Sequence, residues 1–241
     1  MNQTDLSAIQ RDAMRAQGKD IELTDDGKLV LKPARLTIGG VFSFEHKRHE
    51  AVQRAIEDGD PEKELWLRDF VRRNGDTQYK RNYVTVDQER APNLIPNGGL
   101  DFVLDLILGS TLKINNWYMG PFTSNWTPSA TAQSNWAGAS SGPLATELAN
   151  AQYDETNRQA ATFGNPASSQ TITTSAATTF TLSTGVSGLS MYGVTLNSVN
   201  TVAYDSTDQT LLAATRFVSP KSGLDAGDLA NIGYELSASS A

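Results

Sequence analysis

From residue 111 to its end the chain is a succession of short apolar runs separated by Ser, Thr, Gly, Asn and Pro. That pattern constrains the fold more than any other feature. Turn residues divert backbone hydrogen bonds into local loops, so such runs do not propagate as helices. Strands are predicted near 114–122, 158–163, 170–182, 190–197, 210–217 and 229–236. Short strands bury a face only by packing sheet on sheet or by closing on themselves. The expectation for 111–241 is therefore an antiparallel β-sandwich, jelly-roll-like, with a long Ser/Ala/Gly loop over 123–150. A loop of that length is usually functional or held by a partner.

Charge divides the chain at about the same place. Residues 1–92 hold 16 of the 20 Lys and Arg and 17 of the 27 Asp and Glu; the remaining residues hold 4 and 10. The first part is dense in charge and near neutral, and the second is sparse and acidic. A net charge of -7 opposes direct nucleic-acid binding, which needs clustered cations. With no cysteine, disulfides, thiolate metal sites and cysteine nucleophiles are excluded. The most apolar stretch, Leu100 to Leu108, contains Asp101 and Asp105 and falls short of the roughly 20 apolar residues of a membrane span. No basic region followed by an apolar run marks a secretory signal at the N-terminus. A water-soluble chain, outside the membrane, is expected.

The upstream part reads as α+β, making the whole chain mainly β with a helical N-terminal part. Residues 1–35 are predicted to be an arm and hairpin. Leu6, Ile9 and Met14 are isolated apolar positions in the arm, too few to repay its ordering entropy alone. Ile21–Leu23 and Leu29–Leu31 flank Asp25-Asp26-Gly27, a good hairpin turn. Residues 36–110 form a charged section. In it Leu36, Ile38, Phe42 and Phe44 alternate as in a half-buried strand, and Tyr79 to Val86 suggests another. Helix is expected over 50–73, its stronger part near 60–73 behind an Asp60-Pro61 start, and a further helix near 98–108. Leu100, Val103, Leu104, Ile107 and Leu108 make a stripe expected to face the core, with Asn97 as N-cap, Asp101 in the first turn and Gly109 as the stop.

Motifs that suggest chemistry are weak. His46 and His49 are the only histidines, and their spacing is not the His-Glu-x-x-His of a zinc helix. Residues 45–50 are expected to be a solvated charged turn. Gly138-Ala139-Ser140-Ser141-Gly142 has the letters of a nucleophile elbow without the strand and helix that give it strain. Asp205 with Asp208, and Asp225 with Asp228, are acidic turns that could touch calcium but are ordinary turn chemistry. No phosphate-binding loop is present. The expectation is a protein with no catalytic, cofactor or metal site, and not an enzyme. The enzymatic alternative is a glycan hydrolase with two carboxylates. Trp117, Tyr118, Trp126 and Trp136, with Leu6 and Ile9 of the arm, are the candidate interface residues. Trp and Tyr dominate interface energetics and also stack on sugars.

Three stretches carry a resemblance. They are Asn93-Leu94-Ile95-Pro96-Asn97-Gly98-Gly99-Leu100-Asp101-Phe102-Val103-Leu104-Asp105; Trp117-Tyr118-Met119-Gly120-Pro121-Phe122 with Trp126-Thr127-Pro128; and Thr146-Glu147 with Tyr153-Asp154-Glu155-Thr156-Asn157-Arg158. Leu211 to Phe217 extends the pattern. From about residue 36 onward the chain resembles a family of tailed-bacteriophage virion structural proteins, mostly of unassigned role. Two departures are Asn157, where a small residue is expected, and the charged helix over 50–73, which reads as an insertion. The resemblance implies a virion component, assembled in the host cytoplasm as a homo-oligomer against the major capsid protein or other virion subunits. A capsid decoration (cement) protein is the leading expectation. A tail, neck or fibre-attachment protein and a host-glycan-binding adsorption module are the alternatives.

Overall fold

The computed structural model describes residues 21–23, 29–31, 36–73, 82–109, 112–132, 136–137, 144–164, 170–202 and 209–240. Two compact units are present, one of residues 1–38 and 238–241 and one of 39–237. In the first, β1 (Ile21–Leu23) and β2 (Leu29–Leu31) pair antiparallel with Ile21 opposite Leu31, as the sequence predicts. The Asp25-Asp26-Gly27 turn, Leu6 and Ile9 lie outside the described residues.

The larger unit is mainly β. One sheet has the order β10 (Leu211–Leu224), β9 (Leu189–Asn197), β5 (Trp117–Phe122), β6 (Gln159–Ala161). The other runs β4 (Tyr83–Pro92), β3 (Leu36–His49), β11 (Leu229–Ser240), β7 (Thr171–Thr173), with β8 (Thr178–Thr181) also paired to β11. Every strand run predicted beyond residue 111 contains observed strand, and the run at 170–182 divides into β7 and β8. The expected strand at 79–86 lies later, at 83–92.

The two sheets share one core. Phe42, Phe44, Phe180, Ile232 and Tyr234 from one sheet meet Met119, Val194, Leu196 and Phe217 from the other. Phe42 and Phe44 are the alternate positions that the sequence marked, and Phe42 stacks at a tilt on Tyr234 with centroids 4.6 Å apart. Both sheet edges are stitched. At one, Val218 N–H donates to Glu89 Oε1 (2.8 Å) and the buried Lys221 ammonium pairs with Glu89 (2.7 Å) and Asp87 (3.1 Å). Burial works against the Lys221 charge, but these carboxylates more than offset it and raise its pKa. At the other, Thr178 Oγ1 donates to the Ala160 carbonyl (3.2 Å), and Phe163 bridges to Thr174.

This arrangement crosses the boundary at residue 110 between the two expected sections. β3 and β4 lie in one sheet with β11, so residues on both sides of that boundary contribute to the unit of 39–237. Three helices occur among the described residues: α1 (Glu50–Glu57), α2 (Pro61–Arg73) and α3 (Asn97–Leu108). Gly59 ends the first at φ +69°, a left-handed stop that glycine takes without strain. Asp60 Oδ1 then accepts from Lys63 N–H (3.0 Å), the N-cap that the Asp-Pro pair predicts. No helix among the described residues is long and apolar enough to cross a membrane.

Helix α3 departs from expectation. Its N-cap is Pro96 rather than Asn97, no side chain caps it, and Asp101 falls beyond the first turn. The predicted core stripe is largely outside: Leu100 is 37%, Leu104 53% and Ile107 63% exposed. The helix instead buries the side that carries Gly99, Phe102 and Val103. A Cβ at Gly99 would stand 2.6 Å from the Leu212 carbonyl oxygen, so glycine is what lets α3 lie on β10. Phe102 closes the contact edge-on to Trp117 (5.6 Å). At 100° per residue the stripe is turned roughly a third of a turn from the packed face.

Candidate functional site

Three features concentrate the chemistry of the large unit: two ion clusters and the open face of α3.

The first cluster sits where β3 ends. Residues 45–50 were expected to form a solvated turn, but His46, Arg48 and His49 are buried at the end of the strand. The reason is Asp228, which is only 1% exposed and lies in the turn between β10 and β11. Its carboxylate accepts from His46 Nε2 (2.8 Å), from Arg48 Nη2 (2.8 Å) and from Arg68 Nη1 (3.3 Å) of α2. Asp225 takes the other end of Arg68 (3.0 Å), and Glu64 its Nε (2.9 Å). Burial alone would raise the Asp228 pKa, yet the His46 and Arg48 hydrogen bonds outweigh it and hold the group below the usual carboxylate value of 3.8. For Arg48 burial works the other way, and Asp228 and Asp225 more than restore its charge. The Asp225/Asp228 turn, an acidic turn in the sequence, thus holds the two arginines. The Asp205/Asp208 turn and the Gly138–Gly142 stretch lie outside the described residues.

His49 has a separate task. Its Nδ1 accepts from Ala51 N–H (3.2 Å) and caps α1. Only a neutral ring accepts at Nδ1. Burial lowers its pKa from 6.5, with Glu50 opposing.

The second cluster lies beside the four-stranded sheet. Arg158 forms a fork on Glu147, Nε to Oε1 (2.6 Å) and Nη2 to Oε2 (2.9 Å). Its remaining nitrogen donates to Gln209 Oε1 (3.0 Å) and the Val199 carbonyl (3.0 Å). Neither partner reaches solvent: the side chains are 0% and 2% exposed. The turn that aims Arg158 inward carries strain, since β-branched Thr156 sits at φ +61°. Above Arg158 lies the Trp136 ring (5.6 Å), whose Nε1–H donates to Asn197 Oδ1 (2.8 Å). Asn197 donates on to Thr195, and Thr195 to the Gly120 carbonyl, each at 2.8 Å. A Cβ at Gly120 would meet Thr195 at 2.7 Å and Asn197 at 2.9 Å, so this strand position needs glycine.

The aromatic candidates therefore separate. Trp136 is completely buried, which corrects its reading as an interface residue: its indole is spent on Asn197 and its face on Trp126, stacked at 5.7 Å. Trp126, Trp117 and Tyr118 are half-buried. Sequence reasoning missed the Arg158–Glu147 pair, although both residues fall within the stretches that carry the resemblance. The signal was scarcity. Only four cations occur after residue 92, and two of them, Arg158 and Lys221, are buried in ion pairs.

The quoted sequence stretches also meet in space. Leu94 and Ala214 exchange backbone hydrogen bonds (2.8 and 2.9 Å), Gly99 lies on Leu212, and Glu147 bridges to Phe122. In both clusters the carboxylates accept from guanidinium groups, a holding arrangement rather than a paired acid and base. Among the described residues, Leu100, Leu104 and Ile107 form an exposed apolar row along one face of α3. No protein-family model matches the chain, and no curated protein matches it significantly.

Proposed function

We propose that this protein is a structural component of a tailed-phage virion, a capsid decoration (cement) protein that grips capsid subunits through the outer face of α3. The observation that carries the reading is that face. Leu100, Leu104 and Ile107 are exposed at i, i+4 and i+7, one apolar surface on a helix whose other side is fixed to β10. An apolar helix face left in water marks a protein contact, and each such side chain buried contributes roughly 1.5–3 kcal/mol. Repeated over many symmetric copies, a modest contact stiffens a shell. The resemblance of residues 36–241 to virion proteins supports the same reading. In it the two sheets are a jelly-roll-like sandwich seated on the capsid, the protein acts as a binder rather than an enzyme, and its copies form a homo-oligomer.

Purified protein mixed with empty expanded capsids is expected to co-sediment with them, and Leu104→Asp/Ile107→Asp is expected to abolish this. Wild-type protein that stays in the supernatant overturns the decoration role. Co-sedimentation with tails instead moves it to the neck or tail. The glycan-binding alternative would rest on Trp126 without Trp136, because Trp136 offers no face to a sugar.

A further inference from the structure

The helical section over 50–73 has an open side of its own. Arg68 and Val71 turn α2 inward, which leaves Leu65 72% and Trp66 61% exposed. Trp66 is nevertheless held in place, stacked on Phe70 with centroids 5.1 Å apart and planes at 17°. Between α2 and residues 184–187 lies a groove of about 840 Å³. That is the size of a site for several side chains.

Its lining has a definite sign. Glu62, Glu64, Asp69 and Asp225 contribute four carboxylates against the single guanidinium of Arg68. Arg68 bonds Glu64 and Asp225, Glu62 is a further carboxylate of the lining, and the lining residues are acidic in formal charge. Leu65, Trp66 and Val186 give the same groove an apolar wall. Acid beside an anchored aromatic ring is the complement of an arginine or lysine side chain. The aliphatic stem packs on the wall, the cation sits over the indole, and carboxylates receive the head. A phosphate backbone would meet repulsion here.

We propose that the groove between α2 and residues 184–187 binds a basic peptide segment of another protein, one with Arg or Lys next to apolar residues. The site is separate from the α3 face and does not depend on the virion reading. It gives the charged helical section a purpose: α2 is pinned by ions on one side so that it can present Trp66 and carboxylates on the other.

The test is a selection of random decapeptides displayed on phage against the immobilised full-length protein. Enriched peptides are expected to carry Arg or Lys flanked by aliphatic or aromatic residues. Synthetic copies should change the tryptophan fluorescence on binding. They should bind at least about tenfold more weakly to Trp66→Ala and to Glu62→Gln/Asp69→Asn, and several-fold more weakly as salt is raised. Circular dichroism melts matching wild type establish that both variants fold; the Gln and Asn replacements keep side-chain shape in case the Ala variant does not. Enrichment of neutral or acidic peptides, no enrichment, or equal binding to wild type and the Gln/Asn variant would each overturn the proposal.

Discussion

The two ion clusters use the same chemistry to different ends. Arg158 and Glu147 form a dry, one-to-one fork inside the sheet region, with every guanidinium nitrogen engaged. The Asp228 cluster is shared among His46, Arg48 and Arg68, and its outer members Asp225 and Glu64 still see water. One cluster closes a core; the other fastens a pair of helices to a finished sheet. Breaking them should therefore have different consequences.

The largest effect is expected at the fork. Arg158→Met strands the Glu147 carboxylate away from water, and removing one partner of a buried pair costs about 3–5 kcal/mol. For a chain of this size each kcal/mol lowers Tm by about 2–4 °C. Calorimetry should show a single cooperative transition displaced downward, because the fork lies within the unit's shared framework. The double variant Arg158→Met/Glu147→Leu should recover most of the loss. A double variant no better than the single one would mean that shape, not charge, fixes this site.

Asp228→Asn should cost less, about 1.5–3 kcal/mol, since Arg48 retains Asp225 and the Gly223 carbonyl, and Arg68 retains Asp225 and Glu64. Its damage should be local. Hydrogen exchange is expected to speed up in α1 and α2 while β9 and β10 keep their protection. Uniform loosening of both regions would erase the distinction between a core lock and a fastener.

Much of the sheet pattern was legible in sequence because strands announce themselves locally. The Gly/Asn/Ser punctuation and the Phe42/Phe44 alternation depend on neighbours in the chain. The ion clusters were not legible, since they join residues as far apart as His46 and Asp228. Periodicity also misled at α3. It counts Leu100, Leu104 and Ile107 as core and gives Gly99 no weight, yet Gly99 sets which side can approach β10. Composition placed Trp136 in the long loop over 123–150, and no local rule reports the distant Asn197 that accepts from its indole. The likeness to virion proteins rested on stretches that pack against one another, so they are tied first to the fold.

Acid should also separate the two regions. His49 has a lowered pKa when folded, so the unfolded chain binds more protons as pH falls through 6.5, and stability declines on that descent. Asp228 is lowered as well; its contribution is complete above 3.8 and is lost as pH drops through its still lower folded value. Both groups weaken the helical fastening in acid, first by uncapping α1 and then by releasing the arginines. Protection of α1 against hydrogen exchange, taken relative to the intrinsic rate at each pH, is expected to fall as pH drops through 6.5, and His49→Gln should remove that step. An unchanged step would place the titration elsewhere.

The smallest effect on stability is expected on the outer face of α3, and that smallness is informative. Leu104 and Ile107 are 53% and 63% exposed, so replacing both with Ser removes little buried area. The change should stay within about 0.5 kcal/mol per site, in the range of ordinary surface substitutions. A core helix of the kind the periodicity predicts would instead lose about 2–5 kcal/mol per truncated Leu or Ile. Chemical denaturation of Leu104→Ser/Ile107→Ser thus distinguishes a stripe kept for packing within the monomer from one kept for a partner. If the isolated protein is indifferent to the change while capsid binding is lost, the apolar face contributes nothing to its own fold, and selection for contact is what keeps it apolar.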